Sequence, residues 1–142
     1  MARVNFYLLP QQQESAKRQF ACRLADKLWR QGLAVQLHAA SADEAQELDQ
    51  LLWCFSPESF LPHHLQGEPV MDTRSVVLSW GPMAVLAPNL LNLTDTLPAA
   101  HGRFETIAEF VLDEDTDKAH SRELWNRYKQ VGHALQHHRI GA

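Results

Sequence analysis

Short β-rich runs and longer amphipathic stretches alternate along the opening part of this chain, and that order restricts the fold more than any single motif does. Val4-Asn-Phe-Tyr-Leu-Leu9 is a compact apolar run stopped by Pro10, as a strand buried on both faces would read. From Glu14 to Gln31, Phe20, Ala21, Leu24, Ala25 and Leu28 recur at helical spacing. Lys17, Arg18, Arg23, Asp26 and Lys27 fill the opposite face, and Gly32 supplies a stop. Leu33 to His38 returns to strand character, and Ser41-Ala-Asp-Glu44 forms a capping box ahead of Ala45, Leu48, Leu51 and Leu52. A βαβα order with segments of this length requires parallel strands joined by right-handed crossovers. The expected class is therefore α/β: a Rossmann-like, mostly parallel sheet flanked by helices.

The rest of the chain is less regular. Ser56 to His64 reads as a proline-punctuated loop displaying Phe60 and Leu61. Val70-Met71 is a minimal apolar piece, Val76 to Trp80 a proper strand, and Met83 to Leu86 and Leu90 to Leu93 are short apolar pieces between prolines, so the strand number stays open. Arg103 to Val111 carries Phe104, Ile107, Ala108 and Phe110 in a helix-compatible pattern, and the acidic run Asp113-Glu-Asp-Thr-Asp117 leads into a last helix, whose N-terminus its carboxylates suit. Beyond Gly132 the chain is His-rich and weakly apolar. A single domain is expected over residues 1–136, with a frayed tail at 137–142.

Composition excludes several function classes. The 142 residues suffice for one hydrophobic core, and no apolar run approaches the roughly 20 residues that cross a bilayer. The start of the chain lacks the apolar region of a signal peptide, and Cys22 and Cys54 have no CxxC spacing, so a reducing cytoplasm is the expected location. A net charge of −4 opposes coating of nucleic acid by the whole domain, which leaves any basic function to a local patch.

The loop after the first strand, Pro10-Gln-Gln-Gln-Glu-Ser15, has no glycine to let backbone amides close on a phosphate, and neither GxGxxG nor GxxxxGK[ST] occurs. There is no Gly-x-Ser-x-Gly elbow. His133 and His137 stand at i, i+4 without a glutamate to complete HExxH, and a solvated helix end accounts for them better than a metal. No catalytic, cofactor-binding or metal-ligating residue is expected.

What remains is a stripe. Lys118, Arg122, Trp125 and Lys129 share one face of the last helix, where cations above and below an indole would receive an acidic peptide with an apolar anchor. Against this stands a plainer reading in which Trp125 and Tyr128 are core and the cations are solvated surface. Leu124, Tyr128, Val131 and Leu135 provide a separate apolar face for docking, which favours the receptor. Phe60, Leu61 and Trp53 share the ambiguity: each plugs an end of the sheet or offers a partner surface.

Several pieces, in order, then resemble one family. They are Phe6-Tyr7-Leu8-Leu9, Leu28-Trp29-Arg30-x-Gly32, Leu52-Trp53, Ser59-Phe60-x-Pro62-His63 and Arg122-x-x-Trp125-x-x-Tyr128-x-x-x-Gly132. Together they resemble the chi subunit family of bacterial DNA polymerase III. The resemblance implies a non-catalytic accessory subunit with a nucleotide-binding-like topology and no working nucleotide site. Its implied partners are the psi subunit of the clamp loader and the acidic C-terminal tail of single-stranded DNA-binding protein, with a DNA-repair helicase as a further candidate. By position, Lys118 and Arg122 would pair with tail carboxylates, Trp125 and Val111 would frame a pocket for the tail's last phenylalanine, and Trp53 and Lys129 would add to that site. Phe60, Leu61, Pro62 and His63 would meet psi. Relatives often have tyrosine at the Trp125 position and a basic residue at Asn126, so the tail site here is expected to differ in strength. The competing functions are direct single-stranded DNA binding with Trp125 stacking a base, and a cryptic nucleotide-binding protein.

Overall fold

The computed structural model describes residues 2–54, 61–68 and 75–141. In chain order the elements are β1 (Arg3–Leu8), α1 (Glu14–Arg30), β2 (Val35–His38), α2 (Ala42–Cys54), β3 (His63–Leu65), β4 (Val76–Ser79), β5 (Asn89–Asn92), β6 (Thr106–Val111), α3 (Asp115–Gln130) and β7 (Ala134–Arg139). Among the described residues seven strands form one sheet in the order β3-β4-β2-β5-β6-β1-β7, and every pairing is parallel. The α/β class read from the alternation is the observed one.

Glycine ends two of the helices. Gly32 and Gly132 adopt φ of +85° and +90°, which lets the next residue bond back into the last turn: Leu33 N–H to the Leu28 carbonyl, and His133 N–H to that of Tyr128. At the start of α2, Ser41 Oγ accepts from Glu44 N–H while Glu44 reaches back to Ala40 N–H, a capping box displaced by one residue.

The order of strands decides the layers. From β1 the chain moves along the sheet in one direction through α1 to β2 and through α2 to β3, whereas from β6 it moves the opposite way through α3 to β7. Right-handed crossovers then put α1 and α2 on one face and α3 on the other. The core divides accordingly. Leu24, Ala25, Leu48 and Leu52 pack with Leu37, Leu78 and Phe110 on one side, and Leu124 and Tyr128 pack with Val4, Phe6, Ile107 and Val111 on the other.

Several expectations need correction. Residues 106–111, whose spacing suits a helix, form β6 in the middle of the sheet. With helices or loops over both faces the strand has no polar side, so its apolar spacing carries no period-2 signal and Phe104, Ile107 and Phe110 match a helical repeat by accident. Residues 134–139 form edge strand β7 beside β1, in place of a helix end and a tail frayed from 137. His133, just before it, accepts a hydrogen bond from Ala2 N–H at 2.9 Å and lies 2.7 Å from His101, which pins the end of α3 to the start of β1. Leu61, expected on display, is buried at 3% exposure, and the Pro62 carbonyl accepts from Val76 N–H, so His63 opens β3. Met83 to Leu86 makes no strand. Phe60 and Val70-Met71 lie outside the described residues.

A carboxyl group is sealed under α3. Glu109 Oε2 accepts from the Tyr128 hydroxyl at 2.6 Å and from the Asn92 amide at 2.8 Å. Burial pushes this carboxyl from 4.5 up to about 8, outweighing the two hydrogen bonds and the Lys17 charge, which pull it down. Tyr128 is itself fully buried, its hydroxyl pushed up by the same burial and by Glu109. Between the two Glu109 values the unfolded chain has lost its proton while the native state keeps it. Stability therefore falls as pH rises through that window, by up to about 1.4 kcal/mol per pH unit, and levels off above it. Glu109→Gln, which mimics the protonated form, should flatten this slope in urea unfolding followed from about pH 5 to about pH 8. Parallel curves for the variant and the parent would show that Glu109 is charged in the native state.

Candidate functional site

The helices that follow adjacent strands β1 and β6 leave on opposite faces of the sheet, which opens a crevice at the carboxyl ends of those strands. Crevices at such a reversal are where open α/β sheets bind ligands. Here the crevice is a groove of about 610 Å3. Its floor is apolar: Phe6, Leu8, Leu9 and Pro10 from β1 and its exit, with Val111 and Leu112 from β6. Leu9 N–H donates to the Val111 carbonyl and Ile140 N–H to that of Leu8, so the strand exits remain paired beneath the groove.

One wall is α3, which presents Lys118, Ser121, Arg122 and Trp125. The Trp125 indole is partly buried against Phe6, ring centroids 5.2 Å apart, and also lines the groove, so it is part core and part groove wall. The facing wall is the end of β7, with His137, Arg139 and Ile140. Parallel register sets Phe6 beside His137 and Leu8 beside Arg139, so these residues share one face of the sheet.

The groove is basic although the chain is acidic. Asp113 is its single lining carboxylate, and Lys118 holds it at 2.6 Å, keeping that carboxyl below its ordinary range with a smaller contribution from Arg139. Of the other acids of this loop, Asp115 is exposed and does not line the groove, and two are committed elsewhere. Glu114 caps α3 by accepting from the Thr116 and Asp117 N–H groups, which lowers its pKa. Asp117 accepts from Leu112 N–H at 2.7 Å and pairs with Lys17 of α1 at 3.0 Å. Neither Arg122 nor Arg139 has a carboxylate within ion-pair distance among the described residues. Two guanidiniums therefore stand without a carboxylate partner among the described residues, while Lys118 is paired with Asp113.

Of the residues expected at the tail site, the structure brings together Lys118, Arg122, Trp125 and Val111. Lys129 and Trp53 are not among them. The helix α3 runs back from the carboxyl ends of the strands, so Lys129, in its last turn, is exposed beyond the groove. Trp53 closes α2 on the other face of the sheet, 55% exposed, with its ring 4.8 Å from that of His63. Of the residues expected to meet psi, Leu61 is core, Pro62 is half-buried, and the His63 side chain is 1% exposed. His63 Nδ1 lies 2.8 Å from the Leu61 carbonyl, and Nε2 lies 3.1 Å from Asp49 Oδ1, within ion-pair range but off the hydrogen-bond line. Trp53, and not Leu61, is the apolar surface beside Pro62 and His63.

Sequence spacing does not place His137, Arg139 and Ile140 beside this helix face, because the segment after Gly132 is too polar to signal a strand. Read with period 2, His137-x-Arg139 places two basic side chains on one strand face. Among the described residues no group of three or more histidines, cysteines or acids is placed to hold a metal. No helix there is long and apolar enough to cross a membrane.

Residues 1–136 match the family described as DNA polymerase III chi subunit, HolC. The DNA polymerase III subunit chi of Pseudomonas aeruginosa is 40% identical over 141 residues, covering 99% of this chain and 98% of that protein. Subunit chi of Haemophilus influenzae is 31% identical over 138 residues, 96% of each chain, and that of Escherichia coli is 30% identical over 141 residues, 95% of this chain and 96% of its own. The crystal structure of T4 UvsW superposes on 97% of this chain with a TM-score of 0.65 at 7% identity. This chain spans 41% of that one, and the likeness is one of fold alone. Matched along nearly its whole length by the family and by its curated members, the chain belongs to the DNA polymerase III chi subunit family.

Proposed function

We propose that this subunit is a non-catalytic connector acting in the cytoplasm, which captures the acidic C-terminal tail of single-stranded DNA-binding protein in its groove and binds the psi subunit through a second surface. The observation that carries the first half is the pairing of Arg122 and Arg139, both without carboxylate partners among the described residues, around an apolar floor framed by Trp125 and Val111. A tail ending in aspartates, proline and phenylalanine complements that arrangement: its ring fills the floor, and its carboxylates meet the guanidiniums, which can hold them bidentately. The basic groove in an acidic protein also favours a short anionic peptide over a long phosphate backbone.

Magnitudes set the scale. Burying one phenylalanine contributes about 1.5 to 3 kcal/mol, each exposed ion pair about 0 to 1 kcal/mol, and ordering the tail subtracts from both. The result is a dissociation constant of micromolar order, weakened by salt. Such a contact releases readily, and many tails on a coated strand raise its avidity.

Support for the psi surface is the exposed Trp53, set edge-on to the His63 ring beside β3, which ends the sheet among the described residues. Pro62 and the Phe60 segment adjoin it in sequence. The two surfaces lie on different layers of the sheet, so both partners fit at once.

Two experiments test this division. In calorimetric titration with a synthetic acidic peptide ending in proline and phenylalanine, Arg122→Ala should weaken binding about tenfold or more, and Lys129→Ala should leave it nearly unchanged. Equal affinity of the Arg122 variant and the parent would remove the groove as the tail site. Binding to an oligonucleotide alone, lost with the same variant, would favour the direct-DNA reading instead. Separately, Phe60→Ala and Trp53→Ala should weaken capture of psi while leaving peptide affinity intact, and loss of both activities in either variant would contradict the two-surface arrangement.

A further inference from the structure

The chain has eight histidines, and the structure employs them unevenly. His38, His63, His64, His101, His120, His133 and His138 each have a ring nitrogen within hydrogen-bond distance of a protein partner. His137 has none among the described residues. It is exposed, it lines the groove, and its single ring contact is with Trp125, centroids 6.1 Å apart. Its neighbour His138 points to the opposite face of β7, where it bonds Asn5 and stacks on Tyr7. Both imidazole nitrogens of His137 are therefore free to meet whatever occupies the groove.

The charges facing His137 come from every element around it. Helix α3 supplies Lys118 and Arg122, the exit of β6 supplies Asp113, and β7 itself supplies Arg139. Asp113 is already held by Lys118. Strand β1 offers only apolar Phe6 and Leu8, and Glu109, which shares that sheet face, is shut away beneath Tyr128. A peptide carboxylate seated among these groups would stand beside His137, and an anion at hydrogen-bond distance favours the imidazolium.

Resting on the peptide-capture reading above, we infer that the acidic tail is taken up together with a proton, which His137 acquires as it hydrogen-bonds a tail carboxylate. By linkage the same coupling makes binding tighter as pH falls through the histidine range. Sequence neighbours do not share this role: His138 is turned away, and Arg139 is charged throughout.

The test is calorimetric titration of the full chain with the synthetic acidic peptide between about pH 6 and about pH 8, where aspartates of the peptide stay ionised. The parent should bind several-fold more tightly at the acidic end, and buffers of differing ionisation enthalpy should register net proton uptake. His137→Gln should lose the pH dependence and keep the weaker, alkaline-end affinity. His137→Lys, with a fixed charge, should restore tight binding at all pH values, which a merely structural role would not do. His138→Gln should retain the parent's slope. An unchanged slope in His137→Gln, or no slope and no proton uptake in the parent, would overturn the inference while leaving peptide capture intact. Absence of peptide binding at every pH would overturn both.

Discussion

The position of β1 between β6 and β7, in parallel register with each, is the constraint on which the rest of the structure depends. Two right-handed crossovers that leave adjacent strands in opposite directions must place their helices on opposite faces. A crevice then opens at the strand exits, floored by whatever residues end β1 and β6. In this chain those are Leu8, Leu9, Pro10, Val111 and Leu112, so the crevice is greasy where a nucleotide-binding relative of the fold would have glycine and backbone amides. The contact of Tyr128 with Glu109 and the packing of Trp125 on Phe6 seat α3 above it. These contacts set the face of α3 that carries Arg122 beside the end of β7.

Electrostatics in the groove results from subtraction as much as from placement of cations. Of the four acids from Asp113 to Asp117 only Asp113 lines the groove, and Lys118 holds it; Glu114 is spent on the helix cap, and Asp117 on Leu112 N–H and Lys17. An acidic loop thereby becomes a structural brace. Arg122 and Arg139 keep their hydrogen-bond capacity for a ligand, and a protein of net charge −4 carries a local basic mouth. A net negative charge and a local basic patch coexist on those terms.

Legibility along the sequence tracked environment. Segments with one solvated face, such as α1 with its Lys and Arg side, declared their period and were read almost to the residue. The strand β6 did not, because both its faces are covered and its composition alternates in nothing. Edge strand β7 failed for the opposite reason: it is too polar to signal a strand, and its pairing to β1 lies more than a hundred residues away in sequence. Its polar composition thus conceals that His137 and Arg139 supply half of the groove's basic side chains. On α3 the helical spacing correctly grouped Lys118, Arg122 and Trp125, but it could not tell that Lys129 runs past the end of the groove.

Sequence by itself determined the α/β alternation, the helix stops at Gly32 and Gly132, the lack of a glycine loop after β1, and the cationic face of α3, because each depends on near neighbours and on backbone chemistry. Membership of the chi family was legible too, since it rests on residue identities in order. Tertiary structure alone decided which strands are neighbours, that Trp53 and Trp125 lie on different layers, that Leu61 is core, and that His137 and Arg139 face Arg122. Those outcomes come from long-range pairing in which apolar burial selects the sheet order, and no local pattern encodes which distant strand a given strand will meet.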